Sequence, residues 1–447
     1  MKLYGNYDVI VCGAGISGVI ASVSAAKEGA KILLVDKGNI IGGMITGGRM
    51  TKPTGEVKFG IFREILDRAA HEGGSVIGSY SSYWGTYTGI FDSETVYRII
   101  ISFIQESNIE VLLNSQITDV LMEEHEIKGI LIAGNNQSEL IISKVIVDST
   151  GDGNVSALAG ADYSVGRSSD HLTQPISSYF RLLNVNFPKL AKYCKEHPKD
   201  IRELVLPDND INKNESYQMN FFMSGLEDRI NEAKRDGFNW NVPRNHITMK
   251  AGLLVGEINV NATRFLGNGL DNKVISKAEI ELRKQAYTVF DFLRKYVPGF
   301  EKAIFLEVAS KIGIRETRRI TGDYVLTKKD IMEGKKFEDA IGLTNSPIDI
   351  HDPNGVEARM IAVRPYGIPF RCLLPKNIEN LITAGRCISS DEEAFASVRN
   401  TPVCAITGEA AGVAAALSAK YGVVPRRLPV EKIQHILLDR GFELGNK

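Results

Sequence analysis

Residues 7–36, YDVIVCGAGISGVIASVSAAKEGAKILLVD, contain the pattern that decides the fold class. The apolar segment 7–12 leads straight into a glycine-rich loop, as expected for a strand buried on both faces of a parallel sheet. After the loop, apolar residues recur at helical spacing, and a second apolar strand then ends at Asp36. This order of elements predicts a Rossmann-type dinucleotide-binding unit, which consists of a strand, a glycine loop, a helix, a second strand and a terminal carboxylate.

The loop GAGISG and the carboxylate that follows the second strand have distinct expected contacts with a dinucleotide. Gly13 permits the tight turn, Gly15 lets a phosphate approach the backbone, and Gly18 lets the helix pack closely on the strand. The N-terminus of the helix would face the pyrophosphate. Asp36 can accept hydrogen bonds from both ribose hydroxyls and would repel a 2′-phosphate, which disfavours NADP. The predicted contacts are Gly13, Ala14, Gly15, Ile16, Ser17, Gly18, Asp36 and Lys37.

Four other segments carry a family resemblance. They are STGDG (149–153), IGIRETRRITGDYVLT (312–327), NLITAGR (380–386) and ASVRNTPVCAITGEAAGVAAAL (396–417). Together with GAGISG and Asp36, they resemble the FAD-dependent oxidoreductase family that is related to the fumarate reductase and succinate dehydrogenase flavoproteins. The matching segments are spread over nearly the whole chain, so their combination is far more specific than the glycine loop alone.

The resemblance implies an α/β protein with a discontinuous Rossmann-type FAD-binding domain. That domain would comprise residues 1–158 and, with the C-terminal helix, 366–447, and an α+β substrate domain would be inserted at 159–365. The implied FAD contacts beyond the first loop are Gly42, Gly43, Met44, Ile117, Thr150, Gly151, Asp152, Gly385, Arg386, Thr401, Ala411 and Gly412.

Physical reasons support several of these contacts independently. Gly42 and Gly43 supply a flexible backbone that a long cofactor can approach closely. A helix starting near Thr401 would direct its N-terminus toward the flavin pyrimidine ring, where a reduced flavin carries negative charge. The resemblance assigns the adenine contact to the backbone of Ile117.

Two absences narrow the class of flavoprotein. No second GxGxxG unit occurs in the middle of the chain, so reducing equivalents are expected from the substrate or from an unidentified external partner. Residues 42–50, GGMITGGRM, contain no histidine or cysteine, whereas the fumarate reductase relatives carry there the histidine that bonds covalently to flavin. We therefore expect non-covalent FAD.

Catalytic candidates are few, because hydride transfer needs mainly substrate placement, charge stabilisation and one proton. Arg399 matches the position at which the fumarate reductase relatives bind a substrate carboxylate, although Phe395 stands where close relatives often have a histidine. Arg318, within GIRETRRI, and His246, within VPRNHITMK, are the other two candidates. A small organic substrate, possibly anionic, is therefore expected.

Several alternatives remain open from the sequence. An oxidase or monooxygenase would use oxygen, although the aromatic hydroxylases carry a Gly-Asp pair where this chain has Gly385 and Arg386. A tRNA-modifying flavoprotein would need a basic surface, and a flavin-binding scaffold without turnover is the remaining reading. The aromatic residues Tyr80, Tyr83, Trp84 and Tyr87 could line a pocket or simply pack.

Composition excludes other classes. The 447 residues suit two or three domains, and 53 Lys and Arg balance 54 Asp and Glu, so no overall field attracts nucleic acid. No signal peptide, apolar run of membrane-spanning length or metal-ligand spacing is recognised, and the five cysteines form no CxxC pair. These features predict a cytoplasmic enzyme without metal, and they leave the oligomeric state open.

Overall fold

The computed structural model of the protein describes residues 2–82, 85–134, 138–206, 221–353 and 358–445, except for the side chains of 77–88. The predicted pocket aromatics Tyr80, Tyr83, Trp84 and Tyr87 lie outside the described side chains. The strands are β1 (Lys2–Cys12), β2 (Ile32–Val35), β3 (Ser75–Ser82), β4 (Gly85–Phe91), β5 (Glu110–Leu112), β6 (Gln116–Glu123), β7 (Glu126–Ala133), β8 (Ser138–Asp148), β9 (Tyr163–Val165), β10 (Phe180–Leu183), β11 (Ile201–Val205), β12 (Phe222–Gly225), β13 (Ile247–Ala251), β14 (Ile258–Asn261), β15 (Ile304–Val308), β16 (Arg318–Ile320), β17 (Ala340–Thr344), β18 (Ile348–His351), β19 (Ala358–Ile361), β20 (Tyr366–Pro369) and β21 (Leu381–Thr383). The α-helices are α1 (Ile16–Lys27), α2 (Gly60–His71), α3 (Ser93–Glu106), α4 (Asn154–Leu158), α5 (Phe187–Glu196), α6 (Glu227–Arg235), α7 (Asn272–Tyr296), α8 (Lys328–Met332), α9 (Glu392–Val398), α10 (Thr401–Tyr421) and α11 (Val430–Asp439).

A mixed sheet organises the dinucleotide-binding unit. Its order is β5-β2-β1-β8-β7-β6, with β21 also paired to β8. Strands β5, β2, β1, β8 and β21 run parallel, whereas β7 and β6 continue as an antiparallel meander. The α/β class and the Rossmann-type arrangement predicted from the glycine loop are therefore confirmed.

The first two strands follow from their sequence. Residues 9–12 of β1 and all of β2 are buried, as a strand covered on both faces requires. Because β2 lies directly beside β1, with Val11 opposite Leu34, the carboxyl ends of the two strands meet at one edge of the sheet. That edge brings the glycine loop after β1 and Asp36 after β2 together.

Helix α10 crosses α1 at very short range. A Cβ atom at Gly408 would lie 2.4 Å from the carbonyl oxygen of Ser17, and one at Gly412 would lie 2.3 Å from that of Ala21. Only glycine permits this approach of the two helix backbones. Helix α10 is the one described helix that is long and apolar enough to cross a membrane, which the sequence did not lead us to expect. Its apolar segment is completely buried inside the protein, as in a core helix.

A second sheet forms a separate core. Its antiparallel order is β11-β12-β13-β14-β10-β15, and apolar residues of α5, α6 and α7 pack with it. This unit spans residues 180–308, inside the predicted insert. The buried residues Leu326, Ile341 and Ile348 already belong to the core of the dinucleotide-binding unit. The boundaries at 158 and 365 remain a prediction, and these core contacts favour an earlier return of the chain to that unit.

Candidate functional site

The three glycines of the first loop differ in what surrounds them. A Cβ atom at Gly13 would lie 2.4 Å from the oxygen of Ser149, and one at Gly18 would lie 1.8 Å from the oxygen of Gly13. A Cβ atom at Gly15 would meet no protein atom within 4 Å. Gly13 and Gly18 are therefore required by the packing of the protein itself. Gly15 instead faces open space at the start of α1, where Ile16 and Ser17 form the first turn and no side chain caps the helix.

The second glycine pair packs against the first loop. The amide of Gly42 donates to the carbonyl of Ala14 at 2.7 Å, and a Cβ atom at Gly43 would lie 3.0 Å from the Cα atom of Gly15. The next residue, Met44, approaches Gly313. A Cβ atom added to Gly313 would lie 3.2 Å from the methyl group of Met44. The predicted cofactor residues Gly42, Gly43 and Met44 thus connect the glycine loop with residues that follow the second sheet.

Asp36 lies where a ribose-binding carboxylate is expected. Its two oxygens accept the amides of Ala14 and Gly38, each at 2.6 Å, and each oxygen retains a lone pair for a hydroxyl group. The carbonyl of Asp36 accepts the amide of Ser115 at 3.0 Å. This bond holds the start of β6, with Ile117, beside the predicted ribose site.

A polar network links the segment after β8 to the segment after β21. Thr150 donates its hydroxyl to Asp148 at 2.7 Å, and the carboxylate of Asp152 accepts bonds from Arg386 at 2.5 Å and Thr317 at 3.0 Å. Burial alone would raise the pKa of Asp152, but the charges of Arg386 and Lys37 hold it below its usual range. Asp152 therefore remains ionised and fixes Arg386.

Gly151 belongs to the same network. Its φ is +74°, and a Cβ atom there would lie 3.1 Å from the Arg386 guanidinium.

The second turn of α10 lies against the start of α1, where a Cβ atom at Gly408 would lie 2.4 Å from the carbonyl oxygen of Ser17. Gly385 has a φ of +81°, and a Cβ atom there would lie 2.5 Å from the hydroxyl of Ser17. Its amide donates to Thr407 of α10 at 3.0 Å. No side chain caps α10 at Thr401. Ala411 and Gly412 lie deeper in the helix, where Gly412 contacts α1, so their positions favour a packing role over a cofactor contact.

These residues fit FAD. Two adjoining helices, α1 and α10, begin without a side-chain cap, and the space beside Gly15 is open. Uncapped helix N-termini attract anionic groups such as a pyrophosphate or a reduced flavin. The carboxylate of Asp36 would accept hydrogen bonds from the ribose hydroxyls of the cofactor.

Four buried or nearly buried arginines gather beside this cradle. We call Arg244, Arg264, Arg315 and Arg399 the arginine cluster. Arg244 and Arg264 both donate to Asn261, at 2.8 and 2.9 Å, and are 5% and 1% exposed. Arg315 donates to the carbonyl of Pro175 at 2.6 Å. Arg399, two residues before the start of α10, donates to Asp349 at 3.2 Å and contacts the neighbouring Gln174 at 3.4 Å.

The arginine cluster carries more positive charge than its surroundings compensate. Within the described chain, Arg399 is its only member with a salt bridge, which it forms with Asp349. Burial, reinforced by Arg315, lowers the pKa of Arg244 to about 9, and burial with neighbouring arginines lowers the pKa values of Arg264 and Arg315. One guanidinium nitrogen of Arg264 and the Nε of Arg399 are buried without a hydrogen-bond partner among the described residues. An anion would satisfy both the charge and the open donors.

The three predicted catalytic residues are not all brought together. Arg399 and His246 lie in or beside the arginine cluster. His246 accepts from Arg244 at 2.9 Å and bonds Asn245 at 3.1 Å, so both ring nitrogens are engaged. Arg318 instead donates to the carbonyl of Asp152 at 3.0 Å, beside the predicted FAD-binding network.

Three residues of the site were missed from the sequence, namely Arg264 of the arginine cluster and two residues of strand β18. Asp349 and His351 of β18 lie 3.3 Å apart, and Asp349 also meets Arg399. No motif or ligand spacing marks them, because a strand residue is placed in a site only by the strand's neighbours.

Comparison with known proteins agrees with this geometry. The profile of the FAD dependent oxidoreductase family matches residues 8–437, nearly the whole chain. The protein belongs to this family and is a flavoenzyme that uses FAD.

Its relatives specify the class but no particular activity. A thiamine thiazole synthase of Pyrococcus horikoshii is 31% identical over 33% of this chain and 58% of its own length. Digeranylgeranylglycerophospholipid reductase 1 of Methanococcoides burtonii is 22% identical over 36% of this chain and 41% of its own. The match thus covers about half the length of these relatives.

A solved structure covers much more of the chain. A geranylgeranyl bacteriochlorophyll reductase-like protein of Thermoplasma acidophilum matches with a TM-score of 0.50 and 14% identity, covering 98% of this chain and 84% of that one. At this identity the match establishes the fold alone.

Proposed function

We propose that this FAD-dependent oxidoreductase transfers a hydride or electrons between non-covalently bound FAD and a small organic anion. The observation that carries the proposal is the arginine cluster, with its open donors and uncompensated charge. Arginine binds carboxylates through a planar fork of donors, so it both attracts and orients such a substrate. Arg399 adjoins the N-terminus of α10, which would bring the bound anion close to the flavin.

Each part of the site has a role in this proposal. FAD, when bound, supplies the group that accepts or gives the hydride. Residues Gly15 and Asp36 hold its phosphate and ribose, and Arg399 with Arg264 places the substrate carboxylate. Burial of these guanidinium groups strengthens their attraction for the anion, because it keeps screening water away.

The proposal includes several finer points from the resemblance and from the composition of the chain. A closer kinship to fumarate reductase is supported by Arg399 two residues before α10, although the curated relatives reported above are a thiazole synthase and a lipid reductase. Non-covalent attachment is supported by the absence of histidine and cysteine from residues 42–50. A cytoplasmic location, an external electron partner and the lack of nucleic-acid binding belong to the same proposal.

An anaerobic titration tests the function. Purified protein with bound FAD is mixed with carboxylates, hydroxy acids, amines and NAD(P)H, and the flavin absorbance is followed. We expect bleaching by one organic anion. An R399M variant should retain FAD but lose at least tenfold in the rate of bleaching, whereas R371M, which removes an exposed arginine paired with Asp339, should behave as wild type. Bleaching only by uncharged compounds would contradict the anion assignment. If oxygen is then admitted, reoxidation of the flavin coupled to substrate hydroxylation would indicate a monooxygenase.

A further inference from the structure

His351 occupies an unusual place within the arginine cluster. It is 7% exposed, and its backbone amide donates to Gln174, the residue that also contacts Arg399. Its Nε2 lies 3.3 Å from the carboxylate of Asp349. Its Nδ1 is buried without a hydrogen-bond partner among the described residues. A buried polar atom of this kind indicates a missing ligand, because leaving it unpaired is costly.

The neighbour on one ring nitrogen fixes the chemistry of the other. An ionised carboxylate can only accept, so the proton of neutral His351 must lie on Nε2 and point to Asp349. Burial alone would raise the pKa of Asp349, but His351, Arg399 and Arg315 hold it well below its usual range. Nδ1 of His351 is therefore a bare lone pair inside a positively charged site.

The surroundings of His351 keep it neutral while the site holds no anion. Burial lowers its pKa well below the usual range, and Arg315 and Arg264 lower it further, against the opposing effect of Asp349. The other groups that face the site are Arg244, Arg399, His246 and Tyr179.

The charged residues on the elements that flank β18 do not alter the charges that keep His351 neutral. On the paired strand β19, Arg359 lies opposite Ile350 and is exposed. On the packed helix α9, Glu393 pairs with Lys328, and Glu392 interacts with Arg319 and Arg167.

We infer that the site binds its organic anion together with one proton, which Nδ1 of His351 takes up and donates as a hydrogen bond to the anion. The inference rests on the proposed function and extends it. An anion that neutralises the arginine cluster removes the charge that opposes protonation, and its oxygen accepts the new N–H bond. The protonated ring then donates from both nitrogens, to Asp349 and to the anion.

The proposed redox step also requires a proton in addition to the hydride, and His351 can provide it. When a substrate is reduced, bound FAD in its reduced form would supply the hydride, and protonated His351 would give the accompanying proton from Nδ1 and become neutral again. The group that gives the proton thus contacts the anion directly, and the step needs no other proton donor.

The test uses FAD-loaded wild-type protein and two anionic probes. Sulfate is used at all pH values and succinate only above pH 7, so that neither probe itself takes up or releases protons. Calorimetric titrations in buffers of different protonation heat count the protons taken up. We expect about one proton for each anion bound, and an affinity that falls by up to about tenfold for each pH unit of increase. The H351Q variant should bind without proton uptake, whereas H246Q should keep it, because both ring nitrogens of His246 already have partners.

The outcomes separate this inference from the function on which it rests. If neither probe binds to FAD-loaded protein, the anion site of the proposed function is overturned as well. If a probe binds without proton uptake, only the inference falls. Uptake that persists in H351Q would assign the proton to another group, such as Asp349. Should H351Q fail to fold, ¹⁵N-histidine spectra of the wild type decide, since Nδ1 of His351 must change from unprotonated to protonated when sulfate is added.

Discussion

At the scale of single residues, the glycines of the first loop serve two different purposes. Gly18 is needed by the fold, because a Cβ atom there would overlap the carbonyl oxygen of Gly13. Gly15 has a φ of −67°, which any residue can adopt, and a Cβ atom there meets no protein atom. Packing of the protein therefore does not require glycine at position 15, and we propose that the approach of the cofactor does.

This difference predicts opposite effects of two matched substitutions. Gly15→Ala should leave the free energy of unfolding of the FAD-free protein unchanged or raise it by about 0.5 kcal/mol, since alanine reduces the entropy of the unfolded chain. It should weaken FAD binding at least tenfold. Gly18→Ala should destabilise the FAD-free protein by about 1–3 kcal/mol through overpacking.

Urea unfolding of both FAD-free variants, with fluorescence titration of FAD, measures these effects. Equal destabilisation by the two substitutions would show that Gly15 is a packing residue.

At the scale of elements, the crossing of α1 and α10 couples the cofactor site to the core. The two helices meet through Gly408 and Gly412, so the second turn of α10 is held next to Ser17 at the start of α1. The long buried helix that could be mistaken for a membrane segment is thereby packed against the helix that follows the glycine loop.

Gly412→Ala should weaken this crossing. Alanine favours an isolated helix by about 1 kcal/mol. The added methyl group would lie 2.3 Å from a backbone oxygen of α1, which cannot move as a side chain does. We expect a net loss of about 1–3 kcal/mol in the free energy of unfolding, measured from the urea midpoint.

Lys420→Ala provides the control on the same helix, because Lys420 is exposed. It should change the stability by less than about 0.5 kcal/mol. A G412A protein as stable as wild type would mean that the helices can separate without cost.

At the scale of the whole molecule, the buried histidines make stability depend on pH. Burial, with Arg244 and other nearby charges, lowers the pKa of His246 to about 2. In the unfolded chain a histidine titrates near 6.5, so below that pH the unfolded state binds protons that the folded state does not. The stability that His246 provides is therefore complete above about pH 6.5 and is lost as the pH falls.

The expected loss approaches about 1.4 kcal/mol per pH unit for this histidine. Urea unfolding at pH 7 and pH 5.5 measures it in FAD-loaded protein without added anions. The His246→Gln variant should lose less stability over this interval than the wild type. An identical pH dependence would mean that His246 titrates in the same way in the folded and unfolded chains.

FAD should stabilise the whole chain, since its predicted contacts extend from the first loop to α10. At a free FAD concentration of a hundred times its Kd, the gain is about 2.7 kcal/mol, which thermal unfolding with and without FAD measures. Unfolding in acid, followed by removal of the protein, should leave all flavin in solution. Flavin that remains with the precipitated chain would demonstrate a covalent bond.

The sequence by itself determined the first unit of the fold and its cofactor. Residues 7–36 predicted a buried strand, a glycine turn, a helix and a second strand, and the structure contains β1, α1 and β2 at these places. Such prediction succeeds because burial on both faces, helical periodicity and the need for glycine are local properties of neighbouring residues. Family membership and FAD followed from the same residues with the later segments.

Only the tertiary structure decided the composition of the proposed anion site. Arg244, Arg264, Arg315 and Arg399 are far apart along the chain, and they meet because the loops at the ends of β13 and β14 face the start of α10. The sequence selected Arg399 through its family position and offered Arg318 as a further candidate, but it overlooked Arg264 and His351. Which charges share one buried space depends on how sheets and helices pack, and no local pattern records that.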